Sequence, residues 1–398
     1  MKISVALLAV LCLVISWYCV ISSAGMYAPD FFPLWNAGRA LLHGVNGYGD
    51  EVTRENQIAV FGAELKSSDT KNKERFAYPL YATFPILPLV FLDFKAANLI
   101  ALLVFAALTA LSVGWLRGAW DWLTLLYSIL TFSSYPVVVS LFTRQPTLLF
   151  FGLMVGSFAL ARSERLAPAG IVAALAMGKP QVALPLLLPI CIWTIIQWRE
   201  RRRFIISFSL SIAMLVLLSS LASPGWMTDW LTAVRLYSQY NSPSVLTSLF
   251  GARLGAAIAA LLCGGLVWVL WLHRHSELLF QMAACCVVVE MIIPYQTYNA
   301  VLLLVPLLWL ADNGSVVKQR GAIPQFALAA MWLVLFEGWL ATAAGAMLWH
   351  GPRDMRRIGV MLPPWSTRVL LWSVVIVMAV ALIPTHKAAA GKATEVQV

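Results

Sequence analysis

The sequence predicts an all-α protein that crosses a membrane many times. Of its 398 residues, 61% are hydrophobic and only 12% are charged, whereas charged residues make up about 25% of an average soluble domain. Apolar runs near the length that spans a bilayer, such as LIALLVFAALTALSVGWL, recur from one end of the chain to the other. These runs do not alternate between apolar and polar residues, which argues against an outer-membrane β-barrel.

Basic clusters between the apolar runs, such as WRERRR, account for the net charge of +10. Such clusters are typical of cytoplasmic loops, so we do not interpret the charge as a nucleic-acid surface. Together with Lys2, they predict about twelve transmembrane helices with both termini inside. The six cysteines lie within apolar runs and show neither metal-ligand spacing nor a disulfide framework. We expect one transmembrane domain over residues 1–385 and a disordered cytoplasmic tail over 386–398.

The first apolar run, residues 3–24, is predicted to be an uncleaved span. A signal peptide is the alternative, but the bulky Trp17 and Tyr18 near its end favour a retained helix. Residues 25–77 then form a long first extracytoplasmic loop that carries two short helices. Within it, the polar stretch 67–75 is predicted to be a mobile loop.

Asp30 lies a few residues past the first span, where a carboxylate can meet both water and lipid-borne material. It has two interpretations. It precedes a short helix with Pro33 in its first turn and Gly44 just past its end, so it can serve as the N-cap of that helix. It can instead be a catalytic base at the membrane surface, and this is the hypothesis that we adopt.

Two later segments are predicted to be broken rather than continuous helices. Tyr78–Asp93 is apolar but short and contains three prolines, which predicts a broken or re-entrant segment, buried in protein or lining a cavity, or the first part of a bent span. A complete span follows over 96–116. Residues 167–198 can form one span or a hairpin, and we prefer a hairpin broken at Gly178-Lys179-Pro180 because it keeps WRERRR in the cytoplasm and Lys179 outside. Residues 223–244 predict an amphipathic, aromatic-rich helix on the membrane interface.

This topology brings polar groups from separate helix ends to the outer face. They comprise a carboxylate, cations, amides and aromatic rings, the set that sugar transfer from a lipid phosphate requires. Arg144 can instead snorkel to the lipid headgroups, and the tyrosines can belong to the interfacial aromatic belt. Glu290 is either a second catalytic carboxylate or, as we prefer, a partner of the buried Lys179. The candidate substrate-binding residues are Arg39, Tyr48, Arg144, Gln145, Lys179, Gln181, Tyr295, Tyr298 and Asn299.

Several short motifs follow one another in a fixed order along residues 30–310. They are Asp30-Phe31 with a small-residue helix and the Gly-Asn-x-Tyr turn ending at Tyr48, Tyr78-Pro79, the Gln-Pro-Thr-Leu-Leu stretch from Gln145, Lys179-Pro180, and the Pro-Tyr-x-x-Tyr-Asn turn from Pro294. In this order and spacing they resemble glycosyltransferase family 87. The chain departs from the family pattern around Asn299, where many relatives have Asp or His, and at Arg144, where the usual residue is Gly.

The resemblance implies a GT-C-type helical bundle that transfers a hexose, mannose or a related sugar. The donor would be a polyprenyl-phosphate sugar and the acceptor a lipid or glycan, on the outer face of a bacterial plasma membrane. Asp30 would be the general base of an inverting displacement, while Arg144 and Lys179 stabilise the leaving phosphate. No cofactor and no nucleic-acid partner is expected. We expect no metal either, because the scheme needs none and His43 has no clustered partner.

Three other functions fit the composition. A transporter or flippase for lipid-linked saccharides would more often show two matched halves with broken helices, and the sequence shows no convincing internal repeat. An O-antigen polymerase or ligase usually carries its large outer loop late in the chain, whereas here it is early. A purely structural membrane subunit fits least well, because Lys179 and Glu290 are ionisable groups within apolar surroundings.

Overall fold

Helices are the regular elements of the computed structural model, which describes residues 30–66, 73–240, 242–294 and 296–318 and the isolated positions 10, 11, 14 and 18. This confirms the predicted all-α class for the described part of the chain. The last two predicted spans and the tail lie outside it, as does the predicted first span apart from those four positions. Three 3₁₀ helices cover Leu80–Ile86, Ser238–Tyr240 and Thr297–Leu303. The α-helices are α1 Phe32–Leu42, α2 Asp50–Phe61, α3 Leu87–Val90, α4 Phe94–Arg117, α5 Trp122–Ser133, α6 Tyr135–Phe142, α7 Thr147–Arg162, α8 Leu166–Ala176, α9 Pro180–Ile196, α10 Trp198–Ala222, α11 Trp226–Tyr237, α12 Val245–Leu272, α13 Leu278–Ile292 and α14 Leu304–Lys318.

Three of the described helices, α4, α10 and α12, are long and apolar enough to cross a membrane. The pair α5–α6 would add a fourth span if its two helices, which meet at 65°, count as one. Only 17% of the apolar 18-residue stretch of α10, and 11% of the corresponding stretch of α12, is buried in the protein. Lipid therefore has to cover the remainder. The chain is therefore a membrane protein, while the predicted count of twelve spans stays a prediction.

Helix α4 corresponds to the complete span predicted over 96–116. The Asp93 carboxylate caps its start by accepting a hydrogen bond from the Ala96 N–H at 3.1 Å. Gly118 ends it in the left-handed conformation at φ 68°, which glycine adopts without a Cβ clash. An acid before an apolar run and a glycine after it thus fix the ends of this helix.

The predicted break over Tyr78–Asp93 is confirmed. The segment forms a 3₁₀ helix over Leu80–Ile86 and then the single turn α3, because its prolines remove the N–H donors that a continuous α-helix needs. Most of the 3₁₀ helix is buried in the protein, where its irregular backbone is sheltered from lipid. The Trp35 indole N–H donates to the Leu89 carbonyl at 3.1 Å and fastens α1 to this segment.

The predicted break at Lys179 is also confirmed, since α8 ends at Ala176 and α9 begins at Pro180. The two helices have different neighbours. Helix α8 packs mainly against α7 and α10, whereas α9 packs mainly against α13. The break therefore leaves Lys179 at a junction where several helices meet.

Helices α4 and α7 approach each other closely at Gly152. A Cβ built on Gly152 would lie 2.7 Å from the Cβ of Leu108, which cannot move without shifting α4. Small residues allow such close packing between membrane helices. We expect Gly152→Ala to destabilise the protein by about 1–3 kcal/mol, the usual range for overpacking, measured by thermal unfolding in detergent.

Gly264→Ala is the matched control for Gly152→Ala. Gly264 lies in α12, and a Cβ built on it meets no atom of the described residues within 4 Å. The control should unfold at the wild-type temperature or above it, because alanine favours a helix over glycine. Equal unfolding temperatures for the two variants would show that the close approach of α4 and α7 is not needed for stability.

The first polar loop contains the two predicted short helices, α1 and α2, and it is in contact with α11, which lies much later in the chain. The Asn36 amide in α1 donates to the Asn56 amide oxygen in α2 at 3.1 Å. The Asn46 amide donates to the Asp229 carboxylate at 2.8 Å, which ties this loop to α11. Helix α11 is the aromatic-rich helix predicted from the sequence, and it closes over the loop.

Candidate functional site

A cavity of about 590 Å³ lies between the first loop, the N-terminus of α9, α11 and the segment that follows α13. Six predicted site residues line it together, although they come from distant parts of the sequence. Asn299 is 3% exposed, and its side-chain oxygen has no hydrogen-bond partner among the described residues. Such an acceptor gains stability from a ligand hydroxyl. The six residues are Asp30, Gln145, Lys179, Gln181, Tyr298 and Asn299.

Asp30 is not the N-cap of α1. That position belongs to Phe31, and no side chain caps the helix. The Asp30 N–H instead donates to the Thr143 carbonyl at 3.3 Å, and its carboxylate is hydrogen-bonded by the Thr143 side chain. Burial raises the pKa of Asp30, and the Thr143 hydrogen bond and the charge of Lys179 partly oppose that rise. A partly desolvated carboxylate facing a cavity is suited to accept a proton.

Lys179 extends into the cavity without a carboxylate at ion-pairing distance among the described residues. Its ammonium donates to the Gln145 side-chain oxygen at 3.3 Å and to the Thr147 hydroxyl, and it lies 4.4 Å from the centre of the Tyr298 ring. Burial lowers the pKa of Lys179 to about 7, although the charges of Asp30 and Glu290 act in the opposite direction. An anionic ligand would supply the missing direct counter-ion.

Gln145 and Tyr78 join the two sides of the cavity. The Gln145 side-chain oxygen accepts hydrogen bonds from the Tyr78 hydroxyl at 3.1 Å and from Lys179. Tyr48 stands behind this pair, because its hydroxyl donates to the Tyr78 carbonyl at 2.8 Å and its ring packs on Phe76. Tyr48 therefore supports the wall of the cavity and does not line it.

Several predicted site residues lie elsewhere. Arg39 is exposed on α1, where its guanidinium stacks 5.3 Å from the centre of the Trp35 ring. Arg144 is fully buried and donates to the Leu141 and Phe142 carbonyls at 2.6 and 2.8 Å, so it does not snorkel to headgroups. Glu290 is buried in α13 outside the cavity lining. Tyr295 lies outside the described residues.

The preferred pairing of Glu290 with Lys179 is not found as a direct contact. The two charges act on each other, but no ion pair joins them. The hydrogen bonds of Lys179 go instead to Gln145 and Thr147, which lie at the start of α7. The sequence alone could not predict that Gln145 and Thr147 are the hydrogen-bond partners of Lys179. Their positions depend on how the start of α7 packs against the break between α8 and α9.

The cavity is also lined by residues that were not among the predicted site residues, and Glu74, Trp230 and Tyr237 are three of them. Glu74 belongs to the stretch predicted to be a mobile loop, yet hydrogen bonds from α2 hold its backbone and that of Lys73. Burial and the charge of Asp30 raise the pKa of Glu74 to about 8. Trp230 and Tyr237 lie on α11, whose aromatic residues the sequence assigned to the membrane interface.

The described residues contain no group of three or more His, Cys, Asp or Glu side chains placed to hold a metal ion. That the reaction needs no metal stays a prediction. Asp30 and Glu74 both line the cavity, where the charge of Asp30 acts on Glu74 and both acids act on the Tyr78 hydroxyl.

Comparison with known proteins identifies the family. A search of curated proteins finds no match to the chain. A family model described as glycosyltransferase family 87 matches residues 76–294, more than half of the sequence. The match includes Tyr78, Gln145 and Lys179, whereas Asn299 follows its end by 5 residues and Asp30 precedes its start by 46. The resemblance seen in the sequence motifs is confirmed, and the chain belongs to glycosyltransferase family 87.

Proposed function

We propose that this membrane glycosyltransferase moves a hexose of the mannose type from a polyprenyl phosphate to a lipid or glycan acceptor. Membership of the family supports sugar transfer. The observation that carries the finer proposal is that Asp30 and Lys179 line one cavity, where their charges act on each other. A base and a cation in a poorly solvated site suit the displacement of a sugar from a phosphate leaving group.

In the proposed reaction, the acceptor hydroxyl oxygen attacks the anomeric carbon of the donor sugar. The new bond forms between that oxygen and the anomeric carbon, while the bond from the anomeric carbon to the phosphate oxygen breaks. Asp30 receives the hydroxyl proton, and the bonding electrons leave with the polyprenyl phosphate. Lys179 stabilises the charge on that phosphate, and attack opposite the leaving group inverts the configuration.

The other residues of the cavity suit a sugar. Gln145, Gln181 and Asn299 offer amides to hydroxyl groups, and the rings of Tyr298 and Trp230 offer apolar faces. The lipid tail would leave through the proline-broken segment at Tyr78–Asp93, whose start lines the cavity. We place the cavity on the extracytoplasmic face of a bacterial plasma membrane, because WRERRR then faces the cytoplasm.

The test is transfer of label from radiolabelled polyprenyl-phosphate sugars to a membrane extract by the purified, reconstituted protein. A labelled product that forms only with the protein supports the proposal, and its linkage reports the stereochemistry. Movement of labelled lipid across the vesicle membrane without a new covalent product would support a flippase instead. The mannosyl donor should be used faster than the glucosyl and galactosyl donors.

The pH profile should show the two charged groups of the cavity. We expect kcat/KM for the donor to rise with pH as Asp30 loses its proton, at a pH above the usual carboxyl range because burial raises the pKa of Asp30. It should fall above about pH 7, since the pKa of Lys179 lies near that value and the neutral amine cannot attract phosphate. In Lys179→Arg the falling limb should move to higher pH, because arginine stays charged. A falling limb that stays in place would contradict the assignment to Lys179.

A further inference from the structure

Glu74 is an acid that the proposed reaction does not use, although it lines the same cavity as Asp30. Three contacts with α2 hold Glu74 and its two sequence neighbours in place. The Asn56 amide donates to the Glu74 carbonyl at 2.9 Å, the Gln57 amide donates to the Lys73 carbonyl at 3.0 Å, and Arg75 forms an ion pair with Asp50 at 2.9 Å. Neighbours on both sides of Glu74 are thus held in place.

The backbone of Glu74 is strained. Its φ is 52°, in the left-handed region that glutamate rarely adopts. The Asn56 amide that fixes this conformation is itself fully buried and bonded to Asn36. Strained residues that the surroundings hold in place are concentrated at binding and catalytic sites, so an observed outlier inside a cavity points to a role for its side chain.

Lys179 and Glu74 belong to different parts of the cavity wall. The Lys179 ammonium, at the start of α9, contacts the Gln145 side-chain oxygen, the Thr147 hydroxyl and the Tyr298 ring. Glu74 instead lies in the segment that α2 holds. The cavity therefore has a cationic end at Lys179 and an acidic end at Glu74, and Asp30 acts electrostatically on both groups.

The acidic end also carries an aromatic wall. The Trp230 indole N–H donates to the Ala77 carbonyl at 3.2 Å, which places this ring beside the segment that contains Glu74. A carboxyl group beside an indole suits a sugar, because the carboxyl bonds the hydroxyls and the ring covers the apolar face. If phosphate occupies the Lys179 end, the substrate that Asp30 deprotonates must approach from the Glu74 end.

We propose that Glu74 and Trp230 form the acceptor subsite, and that the acceptor is a saccharide whose hydroxyls bind Glu74. This inference rests on the proposed function, since it assumes that Lys179 holds the donor phosphate. It narrows the acceptor from a lipid or glycan to a molecule with sugar hydroxyls. Glu74 interacts electrostatically with Asp30, Tyr78 and Tyr237. With its pKa near 8, Glu74 carries a proton at neutral pH and can donate as well as accept.

The test measures the apparent KM for acceptor by serial dilution of membrane extract, with labelled polyprenyl-phosphate mannose as donor. Glu74→Ala should raise the acceptor KM by about ten- to a hundredfold, as expected when a protonated carboxyl group no longer donates one hydrogen bond and accepts another, and leave the donor KM within about twofold. Glu64→Ala is the matched control, because Glu64 is exposed on the same loop and does not line the cavity. Extract oxidised with periodate, which cleaves sugar diols, should no longer accept label.

A second variant separates binding from folding. Glu74→Gly relieves the strained φ, so it should fold at least as well as the wild type and still show the raised acceptor KM. Unchanged acceptor KM in both Glu74 variants, or transfer to periodate-treated extract at the untreated rate, would overturn the proposal. Absence of transfer by the wild type from every donor tested would refute the proposed function itself, which is a separate and recognisable result.

Discussion

Replacing Asp30 by asparagine should lower the rate of sugar transfer by about two to four powers of ten, the usual contribution of a general base. An amide cannot accept the proton of the acceptor hydroxyl. It keeps the shape of the carboxylate and can still accept the hydrogen bond from Thr143, so folding and donor binding should change little. The measurement is single-turnover transfer of labelled sugar together with thermal unfolding in detergent.

Asp93→Asn is the matched control for Asp30→Asn. Asp93 caps α4 by accepting the Ala96 N–H, and asparagine caps a helix about as well as aspartate does. The control should therefore keep both stability and activity. An active Asp30→Asn enzyme would refute the assignment of the base and direct the search to Glu74, an acid that also lines the cavity.

Replacing Lys179 by glutamine should lower kcat/KM for the donor by about two to three powers of ten, the usual effect of removing one group that stabilises developing charge. The effect should be large because Lys179 is 2% exposed and has no carboxylate at ion-pairing distance among the described residues. Lys179→Arg should recover part of the loss, since it restores charge but changes the contacts with Gln145 and Thr147. Steady-state kinetics with varied donor concentration give both values.

Lys95→Gln is the matched control for Lys179→Gln, because it removes an exposed lysine in place of a buried one. Lys95 is exposed near the start of α4 and lies outside the cavity, so its loss should leave donor kinetics unchanged. If Lys179→Gln kept the donor kcat/KM of the wild type, the ammonium would only fill space between Tyr298 and Tyr78. The phosphate would then have to bind elsewhere.

The ends and breaks of the helices could be predicted because local residues determine them. Asp93 and Gly118 mark the ends of α4, and the prolines of Tyr78–Asp93 prevent a continuous helix there. The number of spans could not be derived in this way. Helix α8 has only 11 residues and α7 has 16, short of the roughly 20 that cross a bilayer. Apolar composition alone does not distinguish such helices from complete spans.

The candidate site was predictable where a polar residue interrupts an apolar run. Lys179 and Asn299 stand out in that way, and both line the cavity. Glu74 did not stand out, because it lies among other charged residues and its position depends on distant amides at Asn56 and Gln57. Arg39 shows the converse: its sequence neighbours fit the family pattern, but the helix turns its side chain to the exposed face.

The distance along the chain between the two sides of the cavity has a consequence for biogenesis. Asp30 and Asn299 line the same space, although about 270 residues separate them in the sequence. At a synthesis rate of about 5–20 residues per second, Asp30 leaves the ribosome roughly 13 to 54 s before Asn299 does. During that interval the acid has no completed cavity around it, and the nascent chain cannot hold a donor. Activity would therefore begin only when synthesis has passed the segment after α13, and a chain cut short at residue 240 would insert helices without gaining an active site.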